Sequence, residues 1–462
     1  MNYFYKQLTI PEMEIESEIG VVGLNIRQKN IRNSPKNEGN SDIDSVPFLE
    51  ELSIKIIDNK QPIQFTSNFD EAVHRWAPYV QGFSASFVQS IFDKYNNIYR
   101  KPKILDPFAG CGTVTFQSKI NGFDSIGTEL NPLLHFIATT KTDSLKIHPE
   151  LLQQAYRNLR YNTRKAAPTY LKSKEHFHPE VLGNLELIRG SINAYEEINE
   201  EASLVKKLMK LAFSSILIDC SYLKRSPCLG YAHKTFSDAT IPFSLMDKKI
   251  AQISDDIRRI RHQYSRYLDV NSTIHLANAM DHKHENKYDL IITSPPYMNG
   301  MDYVINYKIE MGWLDFTEGS NELKKIKDEM VVCDNVSKSL IRSFKPIYSN
   351  SWIENIKVNI AQQIQKRGSY RRTDMPLIVH KYFDDMYRVM ANVVRSLNCG
   401  GRFILVVGDS LIADVYIQKD LLIAKIGTDL GLQIETIEKA RTRRSGQIRS
   451  YKLRESIITL RK

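Results

Sequence analysis

The chain has 462 residues, 42% hydrophobic and 25% charged, so it can bury a sizeable core and does not have the composition of a disordered chain. Lysine and arginine outnumber aspartate and glutamate by 63 to 53, and the resulting net charge of +10 suits a polyanionic partner without requiring one. Five scattered cysteines contain no Cys-x-x-Cys pair, which argues against a zinc site and a disulfide framework.

The first ten residues lack a basic segment followed by an apolar core, so we expect no signal peptide. The most apolar segment, residues 208–223, is broken by Lys210 and Asp219 and is too short to span a bilayer. We therefore expect a cytoplasmic protein that has no membrane partner and no metal.

The first predicted elements describe the opening of a parallel α/β sheet. Residues 25–45 are polar and read as a linker or arm. A short buried strand at 103–105 leads into a glycine-rich loop, a helix at 114–120 and a second strand at 125–129. Strand, glycine-rich turn, helix and strand in this order are typical of parallel sheets.

Helical spacing then interrupts the α/β pattern from about residue 145 to residue 270. The leucine and isoleucine residues between 182 and 211 recur at spacings of three and four, which predicts helices. Strands resume at 273–276 and 288–292, and an irregular, basic stretch follows between 320 and 375. A turn at Gly400-Gly401, a strand at 402–407, a turn and strand from Gly431 and a last strand at 456–460 complete the predicted sheet.

The loop Asp106-Pro107-Phe108-Ala109-Gly110-Cys111-Gly112-Thr113 lies where such sheets bind nucleoside cofactors. Its glycines allow a close approach of the backbone to a ligand. It is not a dinucleotide fingerprint, because position 115 is threonine, and no lysine follows Gly112 as in a phosphate-binding loop. The alternative is an ordinary strand–helix turn. Glu129, at the end of the next strand, could accept hydrogen bonds from ribose hydroxyls or could be a solvated loop carboxylate.

A buried strand also runs into Thr293-Ser294-Pro295-Pro296-Tyr297. The Ser294 side-chain oxygen and the Pro295 carbonyl could accept hydrogens from an amino group conjugated to a base ring and make its nitrogen more nucleophilic. The prolines would hold these acceptors in place, and Tyr297 could stack on a base swung out of a duplex. The alternative is a proline-stiffened turn with an incidental tyrosine.

These two loops resemble the cofactor-binding motif and the catalytic motif, in its Ser-Pro-Pro-Tyr form, of the DNA amino-methyltransferases of restriction–modification systems. The segment from His74 to Tyr79, followed by Gly82-Phe83-Ser84, is similar to an additional cofactor-contacting motif of that family. Gly400-Gly401-Arg402-Phe403 with the segment up to Asp409 is similar to a later sheet motif. The resemblance covers most of the chain from about residue 65, apart from the two interrupting stretches.

The resemblance implies a Rossmann-like S-adenosylmethionine-dependent methyltransferase fold, with a mostly parallel seven-stranded sheet, helices on both faces and a helical insertion. The implied organisation is an N-terminal arm or linker (1–60), the cofactor-binding half of the core (61–145), a helical insertion that is a candidate for target recognition (146–270), the catalytic part of the core (271–319), a basic insertion that is a candidate for DNA contact (320–375) and the C-terminal part of the core (376–462).

The family also implies site residues. The cofactor S-adenosyl-L-methionine would be bound by Ser84, Asp106, Pro107, Phe108, Ala109, Gly110, Gly112, Thr113, Glu129, Asn131, Asn278 and Ala279. The catalytic residues would be Ser294, Pro295, Pro296 and Tyr297. An acidic or amide side chain before the catalytic strand often binds the adenine amine in this family. Asn278 fits by its distance from the strand, and Asp281 remains an alternative.

The substrate expected from the resemblance is double-stranded DNA. The catalytic loop has no cysteine, which argues against methylation of a cytosine ring carbon. The Ser-Pro-Pro-Tyr form is closer to cytosine-N4 enzymes, although adenine-N6 enzymes with serine exist. A cognate restriction endonuclease or a defence-system subunit is a possible partner. An RNA methyltransferase and a non-catalytic binding subunit are the alternatives from other classes.

Two basic clusters are candidates for contact with the nucleic acid. One lies within the 320–375 stretch, and the other lies near the C-terminus. The first cluster contains Lys366, Arg367, Arg371 and Arg372. The second contains Arg441, Arg443, Arg444, Arg449, Lys452 and Arg454, of which Arg443 and Arg444 are the candidates for contact. Such residues could contact phosphates or guanine edges, and the alternative is an ordinary solvated face.

Overall fold

A computed structural model describes residues 52, 54–60, 63–79, 82–225, 228–236, 238–298, 302–444 and 452–462, and the statements below concern these residues. All of them fall within one compact unit. Most of the expected arm at 1–60 lies outside the described residues.

The structure is built around one large sheet. In chain order the strands are β1 (Ile56–Asp58), β2 (Ile104–Asp106), β3 (Ser125–Glu129), β4 (Leu223–Arg225), β5 (Leu229–Tyr231), β6 (Ser272–Leu276), β7 (Tyr288–Thr293), β8 (Leu397–Gly408), β9 (Ser410–Ile412), β10 (Val415–Ile417), β11 (Gln433–Arg444) and β12 (Lys452–Arg461). The sheet has the order β1-β11-β12-β8-β7-β2-β3-β6, and β4–β5 and β9–β10 form two separate hairpins.

The sheet is mostly parallel, as the sequence predicts. Strand β12 runs antiparallel to both of its neighbours, β8 and β11, and the other pairings within the sheet are parallel. The mixed α/β fold is thereby confirmed. The sheet has eight strands instead of the expected seven, because β1 adds to the edge beside β11 and pairs Ile56 with Ile437. This strand lies within the segment that the sequence predicted to be an arm.

One predicted turn is wrong. Gly400 and Gly401 lie inside β8 and not between two elements. The Gly400 N–H donates to the Lys462 carbonyl at 2.8 Å, and the Lys462 N–H donates to the Gly401 carbonyl at 3.1 Å. The chain end after β12 thus continues the pairing along these glycines, although Gly400 has a positive φ of 76°.

Helices cover the sheet. Their bounds are α1 (Ala85–Tyr95), α2 (Thr113–Ile120), α3 (Pro132–Asp143), α4 (Pro149–Arg157), α5 (Ser173–His176), α6 (Pro179–Ala194), α7 (Glu200–Ile216), α8 (Ile241–Gln263), α9 (Tyr303–Trp313), α10 (Ser320–Glu329), α11 (Lys338–Arg342), α12 (Ser351–Arg367), α13 (Met375–Ser396) and α14 (Lys419–Asp429). Within the described ranges, none of them combines the length and the apolar character that crossing a bilayer requires.

Alternating strand residues direct apolar side chains to both faces of the sheet. On one face Phe403 belongs to a cluster with buried residues of α12, α13 and α14. Its neighbour Ile404 belongs to a second cluster with Phe87 and Val88 of α1. Covered faces of this kind explain why the strands read as nearly continuous apolar runs in the sequence.

The helices α4 to α8 lie in the stretch between β3 and β6 where helical spacing predicts them. Their buried residues, such as Leu185 and Leu208, share one core with Phe116 of α2 and Leu133 of α3. Asp256 of α8 reinforces this junction, as it accepts hydrogen bonds from the N–H groups of a segment near the start of the core. The donors are the Val73 backbone N–H at 3.1 Å, the Arg75 side chain and the Trp76 indole N–H at 2.9 Å.

The stretch 320–375 is not irregular, contrary to expectation, since it contains α10, α11 and α12. Helix α12 buries Ile353, Ile356 and Ile360 against the core, at the spacing of three and four that marks one helix face. The Asn350 side chain caps this helix by accepting a hydrogen bond from the Ile353 N–H at 2.9 Å. Polar and charged residues on the other faces of the helix make this short apolar stripe difficult to recognise in the sequence.

Candidate functional site

A cavity lies at the carboxyl ends of β2, β3, β6 and β7. This is the edge at which open parallel sheets bind their ligands. Its lining includes eight residues that the sequence predicts for cofactor binding or catalysis: Pro107, Phe108, Glu129, Asn131, Asn278, Ala279, Ser294 and Pro296. The predicted cofactor loop and the predicted catalytic loop therefore contribute to the same cavity.

The glycine loop turns sharply between β2 and α2. Gly110 and Gly112 have φ angles of 53° and 83°, in the left-handed region that favours glycine. A Cβ atom on Gly112 would lie 2.9 Å from the Cβ of Ala138 in α3, and one on Gly110 would lie 2.8 Å from the hydroxyl of Tyr79. Both glycines are therefore required by this conformation and by its close packing.

Glu129 ties the end of β3 to the glycine loop. Its two carboxylate oxygens accept hydrogen bonds from the Gly110 N–H at 2.9 Å and from the Asn131 N–H at 2.7 Å. Burial raises the pKa of Glu129 to about 7, against the opposing effect of these backbone hydrogen bonds. A carboxylate oxygen can accept more than one hydrogen bond, so Glu129 can still bind ligand hydroxyls in the cavity.

A direct hydrogen bond joins the two predicted loops. The Thr293 hydroxyl, at the end of β7, donates to Asp106 Oδ1 at 2.6 Å, and the same oxygen accepts the Phe108 N–H at 3.1 Å. Burial raises the pKa of Asp106 to about 7, while these two hydrogen bonds lower it. Asp106 thus lies behind the cavity wall and holds the two loops together through its hydrogen bonds.

The predicted catalytic loop is anchored at several of its residues. The Ser294 hydroxyl donates to the Val406 carbonyl at 3.2 Å, so the oxygen keeps its lone pairs available as acceptors. The Tyr382 hydroxyl donates to the Pro296 carbonyl at 2.9 Å. The Tyr297 hydroxyl donates to Glu455 of β12. The loop is therefore held in a defined conformation before any ligand binds.

Several predicted site residues lie outside the cavity lining. Ser84 caps α1, since its hydroxyl oxygen accepts the Phe87 N–H at 3.0 Å. Tyr297 is buried, with 7% of its surface exposed, and its hydroxyl faces Glu455. The remaining residues of this group belong to the two loops but are not part of the cavity lining: Asp106, Ala109, Gly110, Gly112, Thr113 and Pro295.

The structure separates Asn278 from its alternative, Asp281. Asn278 lines the cavity, and its amide donates to the Glu329 carbonyl at 2.8 Å. Asp281 forms an ion pair at 2.7 Å with Arg388, and its side chain is 65% exposed. Of the two side chains, Asn278 is the one available to a ligand in the cavity.

The cavity has further lining residues that are not predicted from the sequence: Tyr79, Thr128, Leu130, Leu134, Ala277, Tyr303, Met330 and Val331. Tyr79 ends a segment that carries the family resemblance, so a signal for it was present. Its ring stacks on Tyr303 of α9, with centroids 6.2 Å apart. Met330 and Val331 follow α10, in the stretch 320–375, where no local motif marks them.

The cavity wall also holds polar atoms that lack a partner among the described residues. They are the Thr128 hydroxyl and the Asn131 side-chain nitrogen, both buried. Buried polar groups are nearly always hydrogen-bonded in native proteins. The unsatisfied groups beside Glu129 therefore fit a polar ligand such as a nucleoside.

A buried lysine holds the far side of the glycine loop. Lys141 of α3 is fully buried, and its ammonium group donates to the Cys111 carbonyl at 3.3 Å and to the His74 carbonyl at 3.5 Å. It thereby joins the glycine loop to the segment that leads to Tyr79. No group of three or more histidine, cysteine, aspartate or glutamate side chains within the described ranges is arranged to hold a metal ion.

Most of the basic residues predicted to contact nucleic acid have partners within the protein. Arg367 pairs with Asp414, Arg371 with Asp334 and Arg372 with Asp374. Arg443 donates to the Asp409 carbonyl. Lys366 is exposed at the end of α12. Arg444 ends β11, and its side chain lies outside the described residues.

Comparisons with known proteins find relatives of nearly the same length. The chain is 24% identical over 455 residues to the Type II methyltransferase M.BsoBI of Geobacillus stearothermophilus, which covers 86% of this chain and 87% of that protein. Identity to M.AvaI of Anabaena variabilis is 25% over 426 residues, with 85% of both chains covered. Identity to M.MvaI of Kocuria varians is 22% over 410 residues, with 82% and 86% covered.

Two further comparisons, with protein-family models and with solved structures, do not assign a family. No protein-family model matches the chain. The solved rRNA methyltransferase aviRa from Streptomyces viridochromogenes aligns with 86% of this chain and 92% of its own, at 8% identity and a TM-score of 0.32. The fold assignment therefore rests on the strand order and directions of this sheet.

Proposed function

We propose that the chain is an S-adenosylmethionine-dependent DNA methyltransferase that modifies the N4 amino group of cytosine in double-stranded DNA. The observation that carries the proposal is the hydrogen bond between Thr293 and Asp106, which holds the Ser-Pro-Pro-Tyr loop beside the cavity formed by the glycine loop and Glu129. Methyl transfer needs a donor pocket and an acceptor loop in contact, because the reacting groups must meet in one geometry.

The cavity suits S-adenosyl-L-methionine. Glu129 and Asn131 would bind the ribose hydroxyls, and Asn278 would bind the adenine amine. The unsatisfied Thr128 hydroxyl and Asn131 amide are consistent with a polar ligand at this point. When bound, this cofactor supplies an electrophilic methyl group carried on a sulfonium sulfur.

The Ser-Pro-Pro-Tyr loop would prepare the amino group that receives the methyl group. The Ser294 hydroxyl points its hydrogen at the Val406 carbonyl, which leaves its oxygen as an acceptor for an amine hydrogen. With the Pro295 carbonyl as a second acceptor, the loop would hold both amine hydrogens and free the nitrogen lone pair from the base ring. The Tyr382 hydroxyl fixes the Pro296 carbonyl and so stiffens the loop for this task.

Cytosine N4 is proposed over adenine N6 because the loop begins with serine. The DNA partner is supported by the resemblance of the two motifs and by the similarity to three Type II methyltransferases over more than four fifths of the chain. We further propose that the protein acts in the cytoplasm, within a restriction–modification or related defence system that includes a cognate endonuclease.

The proposed DNA contacts differ in their exposure. Lys366 and the partly exposed Arg367 and Arg371 are the better candidates for phosphate contact, since their side chains reach the surface beside α12. Arg372 is 13% exposed and is bound to Asp374, so it contributes to the position of this segment. Residues 146–270 and 320–375 remain the candidates for sequence recognition.

The function is tested by incubating the purified protein and tritiated S-adenosylmethionine with DNA and with RNA, then digesting both to nucleosides. We expect label in N4-methylcytosine from DNA. Label in N6-methyladenine would overturn the choice of base, and label in RNA alone would overturn the DNA assignment. Cofactor binding without transfer to either nucleic acid would favour a non-catalytic subunit. Single-molecule sequencing of DNA from expressing cells would give the target site.

Lys141→Met should lower the affinity for S-adenosylmethionine by up to roughly 30-fold, because it removes two hydrogen bonds from the glycine-loop side of the cavity, each with a net contribution of about 1 kcal/mol. Calorimetric titration measures the change. Lys146→Met is the control, since Lys146 lies just beyond the same helix but forms only an exposed pair with Asp143 at 2.6 Å. Equal affinity in both variants would contradict a role for Lys141 in holding the loop.

A further inference from the structure

Lys419, the first residue of α14, has a side chain buried beneath the catalytic loop. None of its surface is exposed, and its ammonium nitrogen has no hydrogen-bond partner among the described residues. Buried charged groups are normally paired or hydrogen-bonded, since an unpaired one is costly. An apolar side chain would fill this space at a lower cost, so the amine requires an explanation.

The nearby carboxylates accept hydrogen bonds from other groups and none from this amine. Asp409 accepts the Tyr416 hydroxyl at 2.6 Å, and Asp420 accepts the Ser456 hydroxyl at 2.7 Å. Glu455 accepts the Tyr297 hydroxyl and the Arg441 side chain. Arg454 also pairs with Asp409 and Asp420, at 3.3 and 3.1 Å.

Two aromatic rings face the amine instead. The Lys419 nitrogen lies 4.8 Å from the ring centroid of Tyr297 and 5.3 Å from that of Tyr382. These distances are within the range of cation–π contacts. Tyr297 ends the catalytic loop, and the Tyr382 hydroxyl holds the Pro296 carbonyl at 2.9 Å. The amine thus lies between two tyrosines that both anchor the same loop.

We propose that Lys419 is a positioning residue for the catalytic loop, and that its ammonium group holds the rings of Tyr297 and Tyr382 together beneath the Ser-Pro-Pro-Tyr segment. The significance of this contact for catalysis rests on the proposed function. Loss of the contact leaves Tyr297 free to shift and moves the acceptor groups at Ser294 and Pro295 out of alignment.

The contact depends on the charge of the amine. Burial and the neighbouring Arg443 lower the pKa of Lys419 to about 7, while the carboxylates of Asp409, Glu455 and Asp420 oppose that shift. Among the described residues, the charged and titratable groups around the amine are Tyr297 in the loop, Tyr382 in α13, Asp409 after β8, Arg443 in β11, Glu455 in β12 and Asp420 in α14. Arg454 in β12 pairs with Asp409 and Asp420. Because a cation is attracted to a ring face and a neutral amine is not, the contact is strongest below pH 7.

The experiment compares Lys419→Met with Lys425→Met in single-turnover methyl transfer at saturating DNA and cofactor, from pH 6 to 8.5. Lys425 lies on the same helix and pairs with Asp429 at the surface. We expect Lys419→Met to slow transfer roughly 10- to 100-fold at pH 6, the size of effect that a displaced reacting group produces. The ratio of wild-type to Lys419→Met rates should then fall as the pH rises through 7, while cofactor and DNA affinities stay within about twofold.

A ratio that stays constant with pH would overturn the charged contact, and a ratio that rises with pH would mean that the neutral amine is the active form. Lys419→Arg keeps the charge and should retain a larger part of the rate than Lys419→Met, so the reverse order would also overturn the proposal.

A second measurement does not require activity. Carbon-13 NMR of lysine Cε in the wild-type protein should contain one resonance that titrates near pH 7 and is absent from Lys419→Arg. Absence of this resonance would show that the Lys419 amine does not titrate near pH 7 and would overturn the charged contact. Its presence in a protein that transfers no methyl group to DNA would refute the proposed function and leave the contact intact.

Discussion

Replacing Ser294 with alanine is expected to slow methyl transfer roughly 100- to 1,000-fold, which is the usual effect of removing one preorganised polar group from a site where charge develops. The alanine side chain cannot accept a hydrogen bond from the substrate amine. The change should leave the affinity for S-adenosylmethionine within about twofold, because Ser294 touches only one side of a cavity whose ligand contacts are spread over several loops.

The measurement is single-turnover transfer to DNA, together with calorimetric titration of the cofactor. Ser343→Ala is the control, since Ser343 is an exposed serine that follows α11. Tyr297→Phe separates two roles of the neighbouring residue, because it keeps the ring and removes the hydrogen bond to Glu455. A large loss of cofactor affinity in Ser294→Ala, with transfer nearly unchanged at saturation, would reverse the roles assigned to the two loops.

Gly110→Val should instead weaken cofactor binding by roughly 10- to 100-fold, because a strain of about 1 to 3 kcal/mol would be placed in the loop beside the cavity and the added side chain would crowd Tyr79. Position 110 has a φ of 53°, and an added Cβ would lie 2.8 Å from the Tyr79 hydroxyl. Tyr79 lines the cavity and stacks on Tyr303, so a displaced Tyr79 ring would enter the cavity or disturb that stack.

A matched control for Gly110→Val is Gly431→Val. Gly431 also has a left-handed backbone, with a φ of 84°, but no atom lies within 4 Å of the place where its Cβ would be. Both variants carry backbone strain, and only one of them crowds the cavity. Equal cofactor affinity in the two, measured by titration after equal folding is checked by circular dichroism, would count against the assignment of the pocket.

The parts of the site that the sequence predicts are those encoded locally. The strand that ends at Asp106 and the strand that ends at Thr293 each carry an apolar run and a distinctive loop, so both loops could be placed at the same edge of the sheet. The hydrogen bond between these two residues spans 187 positions of the chain, and nothing local indicates it. Met330 and Val331 reach the cavity through tertiary packing, which no short motif encodes.

Runs of basic residues in the sequence are a poor predictor of the surface that contacts nucleic acid. The basic run around Arg371 looks like a surface for nucleic acid when it is read as a sequence. In the fold, Arg371 and Arg372 pair with Asp334 and Asp374. A count of like charges along the chain does not reveal such partners, because an acidic side chain that neutralises an arginine can come from a distant segment. Lys419 shows the converse, since the sequence offers no hint that this lysine is buried beside Tyr297.

The hydrogen bonds of Asp256 have a consequence for engineering. An aspartate in α8 binds the backbone or side chains of Val73, Arg75 and Trp76, only a few residues before Tyr79 in the cavity wall. The helices between β3 and β6 therefore cannot be exchanged without affecting the rest of the fold. A chimera that exchanges residues 146–270 with those of a relative must also exchange the segment around Val73. Otherwise the hydrogen bonds of Asp256 are lost and the cavity wall at Tyr79 is disturbed.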